Sequence, residues 1–173
     1  MTQLKKLLPE QLAYIAGFLD GDGCINAQIV KRPDYKLKYQ IRVSITFFQK
    51  TKSYWFLIKL KKLLGCGTLR QRPDHMSEYT IVGPSNVENI LVLLKPYVLL
   101  KQPQLNVLLE LIKQMPKVKN DPLTFLKLCE QVDRFIVLNN SKKRQITAET
   151  VRSDLGLTTN LFPVETETKS KLS

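Results

Sequence analysis

The chain has 173 residues, a length that suits one folded domain with at most a short tail. Its 43% hydrophobic residues suffice for a core and argue against a disordered chain, while 27 Lys and Arg against 15 Asp and Glu give a net charge of +12. Such an excess favours a polyanionic partner, above all nucleic acid, over a merely basic soluble surface or an anionic lipid.

Several kinds of site and location are disfavoured by what the sequence lacks. No apolar run approaches the roughly 18 residues of a membrane-spanning helix. The first ten residues have neither the apolar stretch of a secretory signal nor the Arg- and Ser-rich character of a transit peptide. Cys24, Cys66 and Cys129 are widely spaced, so we expect reduced thiols rather than disulfides or zinc ligands. His75, the one histidine, is expected in a loop.

The first predicted element is a helix over residues 9–20, with apolar residues at helical spacing and an end at residues 21–23. Two strands are predicted over residues 24–32 and 40–47, where polar and apolar residues alternate with period two. A second helix is expected over residues 51–64, with Trp55 on its apolar side.

The second half begins with two short predicted strands over residues 68–72 and 78–82. Ser85 is expected to cap the first of the remaining helices, which are predicted over residues 85–94, 104–115, 122–138 and 147–155. The order αββαββ followed by C-terminal helices predicts an α+β domain over residues 1–157 with a four-stranded antiparallel sheet. Residues 158–173 are polar and aperiodic, and we expect a flexible C-terminal tail.

The segment from Tyr14 to Gly23 reads YIAGFLDGDG, a helix with small residues that ends in two acids directly before a strand. It resembles the LAGLIDADG homing endonucleases, whose name spells this motif. Flanking stretches such as residues 27–29, 33–36 and 48–51 extend the resemblance over most of the chain. They are similar to the single-motif, homodimeric enzymes that introns of algal chloroplast ribosomal RNA genes encode.

The resemblance implies the LAGLIDADG fold, a saddle-shaped αββαββ unit whose sheet binds double-stranded DNA. It implies a Mg²⁺-dependent endonuclease, with Mn²⁺ as a substitute ion, that makes a double-strand break with short 3′ overhangs in a long pseudo-palindromic target. Such a cut drives homing of the host intron. The implied protein is a chloroplast homodimer, organelle-encoded without a transit peptide, with no membrane partner and no small-molecule cofactor. An RNA maturase and a non-catalytic DNA-binding regulator on the same fold remain alternatives.

Asp20 and Asp22 are the acids of the motif. On residue types alone they are turn residues, although two acids at a helix C-terminus oppose the helix macrodipole. The resemblance makes Asp22 the catalytic metal ligand, with the Gly21 carbonyl beside it. It assigns Asp20 to the interface between two motif helices, together with Ala13 and Gly17 from a stripe of small residues.

Gln49 and Lys101 complete the catalytic set that the resemblance implies. Gln49 would position the hydrolytic water network and Lys101 would stabilise charge near the phosphate, whereas without the resemblance both are ordinary surface residues. Ser53 stands where close relatives carry a basic residue. Either the adjacent Lys52 takes that role or the solvent network differs.

Long polar side chains on one face of a β-sheet can read base edges in the major groove. We expect such a face on the four strands and at the tip of the first hairpin, and we interpret the basic loop over residues 139–144 as a phosphate clamp. The predicted DNA-contacting residues are Asn26, Gln28, Val30, Arg32, Tyr35, Gln40, Arg42, Ser44, Thr46, Lys50, Arg70, Arg72, Glu78, Thr80, Ser141, Lys142 and Lys143.

Overall fold

A four-stranded antiparallel sheet organises the fold. The computed structural model describes residues 7–118, 121–140 and 144–157. The strands are β1 (Gly23–Lys31), β2 (Tyr39–Lys50), β3 (Thr68–Gln71) and β4 (Met76–Val82), and they lie in the order β1-β2-β4-β3. β1 and β3 are therefore the edge strands, and the predicted sheet is confirmed.

Helices cover one face of this sheet. Across the described part of the chain they are α1 (Pro9–Asp22), α2 (Tyr54–Leu64), α3 (Pro84–Leu94), α4 (Gln102–Gln114), α5 (Pro122–Leu138) and α6 (Ala148–Asp154). Short 3₁₀ turns at Thr51–Ser53 and Met115–Val118 precede α2 and follow α4. The α+β class and the αββαββ order are thus confirmed, and none of the described helices is long and apolar enough to cross a membrane.

The period-two alternation of the strands decides which face the helices cover. Successive side chains of a strand point to opposite faces, so every second residue shares an environment. The apolar members are buried, and they are Ile25, Ala27 and Ile29 on β1, Ile41, Val43, Ile45 and Phe47 on β2, and Tyr79 and Ile81 on β4. The polar members lie on the opposite face, which none of the described helices covers and which we call the uncovered face.

Several details of the helices differ from the prediction. α1 continues through Asp22, because Gly23 rather than Gly21 ends it by donating its N–H to the carbonyl of Leu19. A Cβ at position 23 would lie 2.6 Å from Leu19 Cδ1 and 2.7 Å from Leu19 O, so only glycine fits this approach. Ser85 is not a cap, since α3 begins at Pro84 after Gly83. Trp55 is 58% exposed and lies outside the core.

Other local predictions hold. Asp121 caps α5 by accepting hydrogen bonds from the amides of Leu123 and Thr124. His75 lies in the loop between β3 and β4, and the three cysteines are free thiols. Residues 158–173 lie outside the described residues, so the predicted tail and the boundary at residue 157 stay predictions.

The last helix is tied to the β1–β2 hairpin by one short polar contact. The Tyr39 hydroxyl donates to Asp154 Oδ2 at 2.5 Å, and Lys31 Nζ lies 3.6 Å from the same oxygen. The hydrogen bond to Asp154 is the main reason that the pKa of Tyr39 rises from 10.0 to about 12, and the bond from Tyr39 is the main reason that the pKa of Asp154 falls below 3.8.

We therefore expect the Tyr39→Phe variant to be less stable than wild type between pH 3.8 and pH 10.0, with the difference shrinking beyond both limits. A raised tyrosine pKa stabilises the fold below 10.0 and the gain disappears towards 12, whereas a lowered carboxyl pKa stabilises the fold above 3.8 and the gain disappears as the pH falls further. Chemical unfolding of wild type and variant from pH 3 to 11 measures the difference. A difference that does not shrink at either end would contradict this contact.

Candidate functional site

The junction between α1 and β1 brings two predicted site residues together. Gly23, the first residue of β1, is paired with Phe47 of β2, so the last residue of α1 lies beside the end of β2. Gln49 Nε2 accordingly donates to Asp22 Oδ2 at 3.4 Å, a long hydrogen bond. Gln49 Oε1 accepts from the Lys50 amide at 3.1 Å, which fixes the orientation of the amide side chain. One hydrogen of Nε2 is left for a further acceptor.

The Asp22 carboxylate is exposed at the last residue of α1. Its long contact with Gln49 leaves most of its lone pairs for other ligands. The Gly21 carbonyl lies in the same last turn, where helix carbonyls lack the usual intrahelical partner. These are hard oxygen donors of the kind that Mg²⁺ prefers. Within the described residues no group of three or more His, Cys, Asp or Glu side chains could hold a metal ion.

Lys101 reaches the same junction from a distant part of the sequence. It is the residue before α4, and its ammonium donates to the main-chain carbonyl of Asp20. The same ammonium opposes the rise in the pKa of the Cys24 thiol that burial causes, so its charge also acts at the start of β1. Asp22, Gln49 and Lys101 are thus gathered around one corner of the fold.

The Asp20 side chain is engaged within its own chain. Asp20 Oδ2 accepts from the amides of Leu99 at 2.7 Å and Leu100 at 3.1 Å, and Oδ1 accepts from the Lys101 amide at 3.0 Å. The interface prediction for Asp20 stays a prediction, and no pattern in the sequence indicates these contacts with residues 99–101. Ala13 and Gly17 are exposed on α1, and a Cβ added at Gly17 would meet nothing within 4 Å.

The uncovered face of the sheet carries most of the predicted DNA-contacting residues. Strand pairing sets these residues opposite one another as Asn26 with Ser44, Gln28 with Arg42, Val30 with Gln40, Thr46 with Thr80 and Arg70 with Glu78. Lys50 ends β2, Arg32 and Tyr35 lie in the β1–β2 hairpin loop, and Arg72 follows β3. Ser141, Lys142 and Lys143 fall outside the described residues.

Acidic side chains lie beside Arg70 and Arg72 on this face. Glu78 lies 3.7 Å from Arg70 and 4.0 Å from Arg72, and Arg72 also binds Asp74 at 2.6 Å. Glu78 therefore orients two cations at the β3–β4 end. In the hairpin loop, the Arg32 guanidinium lies over the Tyr35 ring at 5.5 Å. Exposed pairs of this kind are weak, so a phosphate or a base can exchange with the carboxylates.

The described ends of the basic loop do not fit the phosphate-clamp interpretation. Arg144 Nη2 donates to the Ala27 carbonyl at 2.6 Å, and Nη1 donates to the Val132 carbonyl at 3.1 Å. Asn139 Nδ2 donates to the Ile25 carbonyl at 2.9 Å. Because β1 is an edge strand, these side chains satisfy carbonyls that a neighbouring strand would otherwise bind. Charge alone suggested a phosphate ligand, whereas the packing of α5 against β1 assigns a structural role.

We expect Arg144→Met to destabilise the fold by about 1–3 kcal/mol, because it leaves part-buried carbonyls unpaired. Arg134→Met removes the same charge from the exposed surface of α5 and serves as the matched control, with a change within about 0.5 kcal/mol. Urea unfolding measures both. Equal stability of the two variants would restore the interpretation of Arg144 as a free phosphate ligand.

Comparison with known proteins identifies the family. The model of the family described as LAGLIDADG endonuclease matches residues 15–115, more than half of the chain. The chain belongs to the LAGLIDADG endonuclease family. The match begins within α1 and ends just after α4, so it contains the α1–β1 junction, the whole sheet and Lys101.

Two curated relatives are similar over most of their length. The DNA endonuclease I-CvuI of Chlorella vulgaris is 47% identical over 145 residues, which cover 84% of this chain and 89% of that protein. The DNA endonuclease I-CreI of Chlamydomonas reinhardtii is 43% identical over 146 residues, with the same coverage. Both are named as DNA endonucleases, the activity that the resemblance implies.

Solved structures confirm the LAGLIDADG homing endonuclease fold. A crystal structure of I-CvuI in complex with its target matches with a TM-score of 0.81 at 46% identity, covering 85% of this chain and 93% of that one. The homing endonuclease I-TnaI, at 20% identity, still matches with a TM-score of 0.69 over 88% of this chain and 98% of that one, which speaks for the fold alone.

Proposed function

We propose that this LAGLIDADG chain is a site-specific DNA endonuclease that hydrolyses phosphodiester bonds and drives the homing of its host intron. The observation that carries the proposal is the exposed Asp22 carboxylate at the end of α1, beside the polar face of the sheet. An acid at that corner can hold a cation against the backbone of DNA that lies on the sheet. Two relatives are DNA endonucleases, and I-CvuI has been crystallised with its target.

Magnesium is the proposed cofactor, with Mn²⁺ as a substitute. Asp22 and the Gly21 carbonyl would hold the ion, because both are oxygen donors at the exposed end of α1. A bound divalent ion polarises the phosphate and lowers the pKa of the attacking water. One chain offers few such donors in its described residues, so phosphate oxygens and water would complete the coordination. Structures of I-CvuI were obtained in the presence of Ca or Mg.

Gln49 and Lys101 would act on the nucleophile and on the developing charge. The fixed amide of Gln49 has one hydrogen left to orient the attacking water beside Asp22. The Lys101 ammonium uses one of its three hydrogens on the Asp20 carbonyl and can direct the others at the phosphate. A cation at this point favours the transition state, in which negative charge on the phosphate oxygens increases.

The active enzyme is proposed to be a C₂ homodimer that packs through α1. Ala13, Gly17 and Gly21 are exposed along this helix, and small residues let two helices approach closely. The same region exposes large apolar side chains, with Tyr14 62%, Leu99 79% and Leu100 75% accessible. Such a patch on a soluble protein marks an interaction surface. Two chains would place two Asp22 carboxylates over opposite strands, giving a double-strand break with short 3′ overhangs in a pseudo-palindromic target.

The uncovered face of the sheet would read the target. Arg side chains suit guanine and Gln or Asn side chains suit adenine in the major groove, and this face presents Arg42, Arg70, Gln28, Gln40 and Asn26. The net charge of +12 per chain adds a sequence-independent attraction to phosphate that falls with salt. I-CvuI has been crystallised in complex with the I-CreI target in the presence of 2 mM Mg, with the DNA not cleaved.

A chloroplast is the proposed setting. The two relatives come from Chlorella vulgaris and Chlamydomonas reinhardtii, and a homing enzyme acts on a gene of the genome that encodes its intron. The target is then an intronless copy of the gene that the intron interrupts.

Linearisation of a plasmid that carries the intron-insertion sequence tests the function. We expect one double-strand cut with 3′ overhangs in Mg²⁺ or Mn²⁺, none with EDTA, and none on a plasmid with a scrambled insert. Tight binding of the same DNA without any cutting would favour a DNA-binding regulator. Binding of the intron RNA and promotion of its splicing, without cleavage of the DNA, would favour a maturase.

A further inference from the structure

The first acid of the motif has an environment that the proposed chemistry does not use. The Asp20 carboxylate accepts three successive main-chain amides, from Leu99, Leu100 and Lys101, at 2.7–3.1 Å. Its own carbonyl accepts a hydrogen bond from the Lys101 ammonium. Asp20 therefore binds Lys101 twice: its carboxylate accepts from the Lys101 main-chain amide, and its main-chain carbonyl accepts from the Lys101 ammonium.

This arrangement also explains why an acid is tolerated at this place. A carboxylate in the last turn of α1 opposes the negative end of that helix dipole. The three amides belong to the segment that leads into α4, and their N–H dipoles point at the same carboxylate. The charge of Asp20 is thereby compensated within one chain, and the loop before α4 is fixed to the end of α1.

We propose that Asp20 is a positioning residue that sets the Lys101 ammonium at the active corner from within its own chain, an inference that rests on the proposed function. Lys101 lies 81 residues from Asp20 in the sequence. A long lysine side chain loses much rotamer freedom when it is held, so an anchored backbone lowers the cost of placing its charge. Both carboxylate oxygens are occupied, which leaves Asp20 little capacity for a contact across a dimer interface.

A double-mutant cycle tests the coupling in the full-length homodimer. The variants are Asp20→Ala, the milder Asp20→Asn, Lys101→Met and the Asp20→Ala/Lys101→Met double variant. We expect Asp20→Ala to slow single-turnover cleavage by about 10- to 100-fold with DNA affinity changed less than about threefold, and Asp20→Asn to recover part of the rate. The double variant should be no slower than Lys101→Met alone within about threefold. Multiplying effects would overturn the proposal.

The chemical reactivity of Lys101 tests this inference independently of nuclease activity. Brief acetylation of the free protein, followed by peptide mass spectrometry, gives the reactivity of Lys101 relative to the exposed Lys127 on α5. We expect Asp20→Ala to raise it several-fold, because the loop that holds Lys101 is released. If wild type cuts no target, the proposed function fails, but this measurement still decides whether Asp20 holds Lys101.

Asp121→Ala is the matched control. Asp121 is a second carboxylate that accepts backbone amides, at the start of α5, and that 17-residue helix puts it about 25 Å from Asn139 beside β1. Its loss should reduce stability while leaving cleavage rate and Lys101 reactivity unchanged. Sedimentation of each variant reports the dimer. A dimer lost in Asp20→Asn with unchanged Lys101 reactivity would assign Asp20 to the interface and overturn the proposal.

Discussion

Asp22→Asn is expected to reduce cleavage by about a thousandfold or more while DNA binding persists. The asparagine keeps the shape of the side chain but removes the charge that would hold a divalent ion, and stabilisation by a bound ion is worth several kcal/mol. The change also makes the chain one unit more positive than +12, so phosphate attraction is not weakened. Single-turnover plasmid cleavage and a gel-shift titration in EDTA measure the two effects.

Asp121→Asn is the control for this substitution, because it removes the same charge at the start of α5, remote from the α1–β1 junction. It should cleave like wild type after correction for stability. An Asp22→Asn protein that binds its target and still linearises the plasmid within tenfold of the wild-type rate would remove Asp22 from the metal site.

Gly17→Leu is expected to separate folding of one chain from assembly of two. A Cβ at this position meets nothing within 4 Å in the chain, and leucine favours a helix over glycine by about 1 kcal/mol, so each subunit should fold. In the proposed two-fold dimer, each chain would bring one added leucine side chain to the interface between the two α1 helices. Both side chains would clash with the closely packed partner helix. We expect the dissociation constant of the dimer to rise by at least about a hundredfold, and the double-strand cut to be lost.

Sedimentation equilibrium and plasmid cleavage follow the Gly17→Leu variant at the same protein concentration. Glu110→Leu places the same side chain on an exposed position of α4 and controls for surface hydrophobicity. It should remain dimeric and active. A dimeric, fully active Gly17→Leu protein would show that assembly does not use this part of α1.

The sequence predicted the sheet and its two faces because the side-chain period of a strand is local. Residues 25–29 of β1 and 40–47 of β2 alternate in composition, and burial follows that alternation. The ends of elements were less accurate, since they depend on single contacts. Gly23 ends α1 through a close approach to Leu19, and no composition rule distinguishes it from Gly21 two residues earlier.

The candidate site was predicted as a set of residues, but not as an arrangement. Asp22 and Gln49 lie in segments whose resemblance to the family is direct, and pairing of β1 with β2 brings them together. The contacts of Asp20 with residues 99–101 and of Arg144 with β1 join segments 79 or more residues apart. Such contacts depend on how α4 and α5 pack against the sheet, which the spacing of residues along the chain does not encode.

The one-sided sheet also governs how this protein can change over time. Reading side chains recur every second residue of a strand, about 6.8 Å apart, which spans about two base pairs of DNA. If this face reads DNA as proposed, exchanging Gln28 or Arg42 alters recognition of one short stretch of the target and leaves the buried neighbours Ala27, Ile41 and Val43 untouched. Under the proposed function, a lineage could then change its target site one substitution at a time, because selection for folding and selection for target sequence would act on alternate residues.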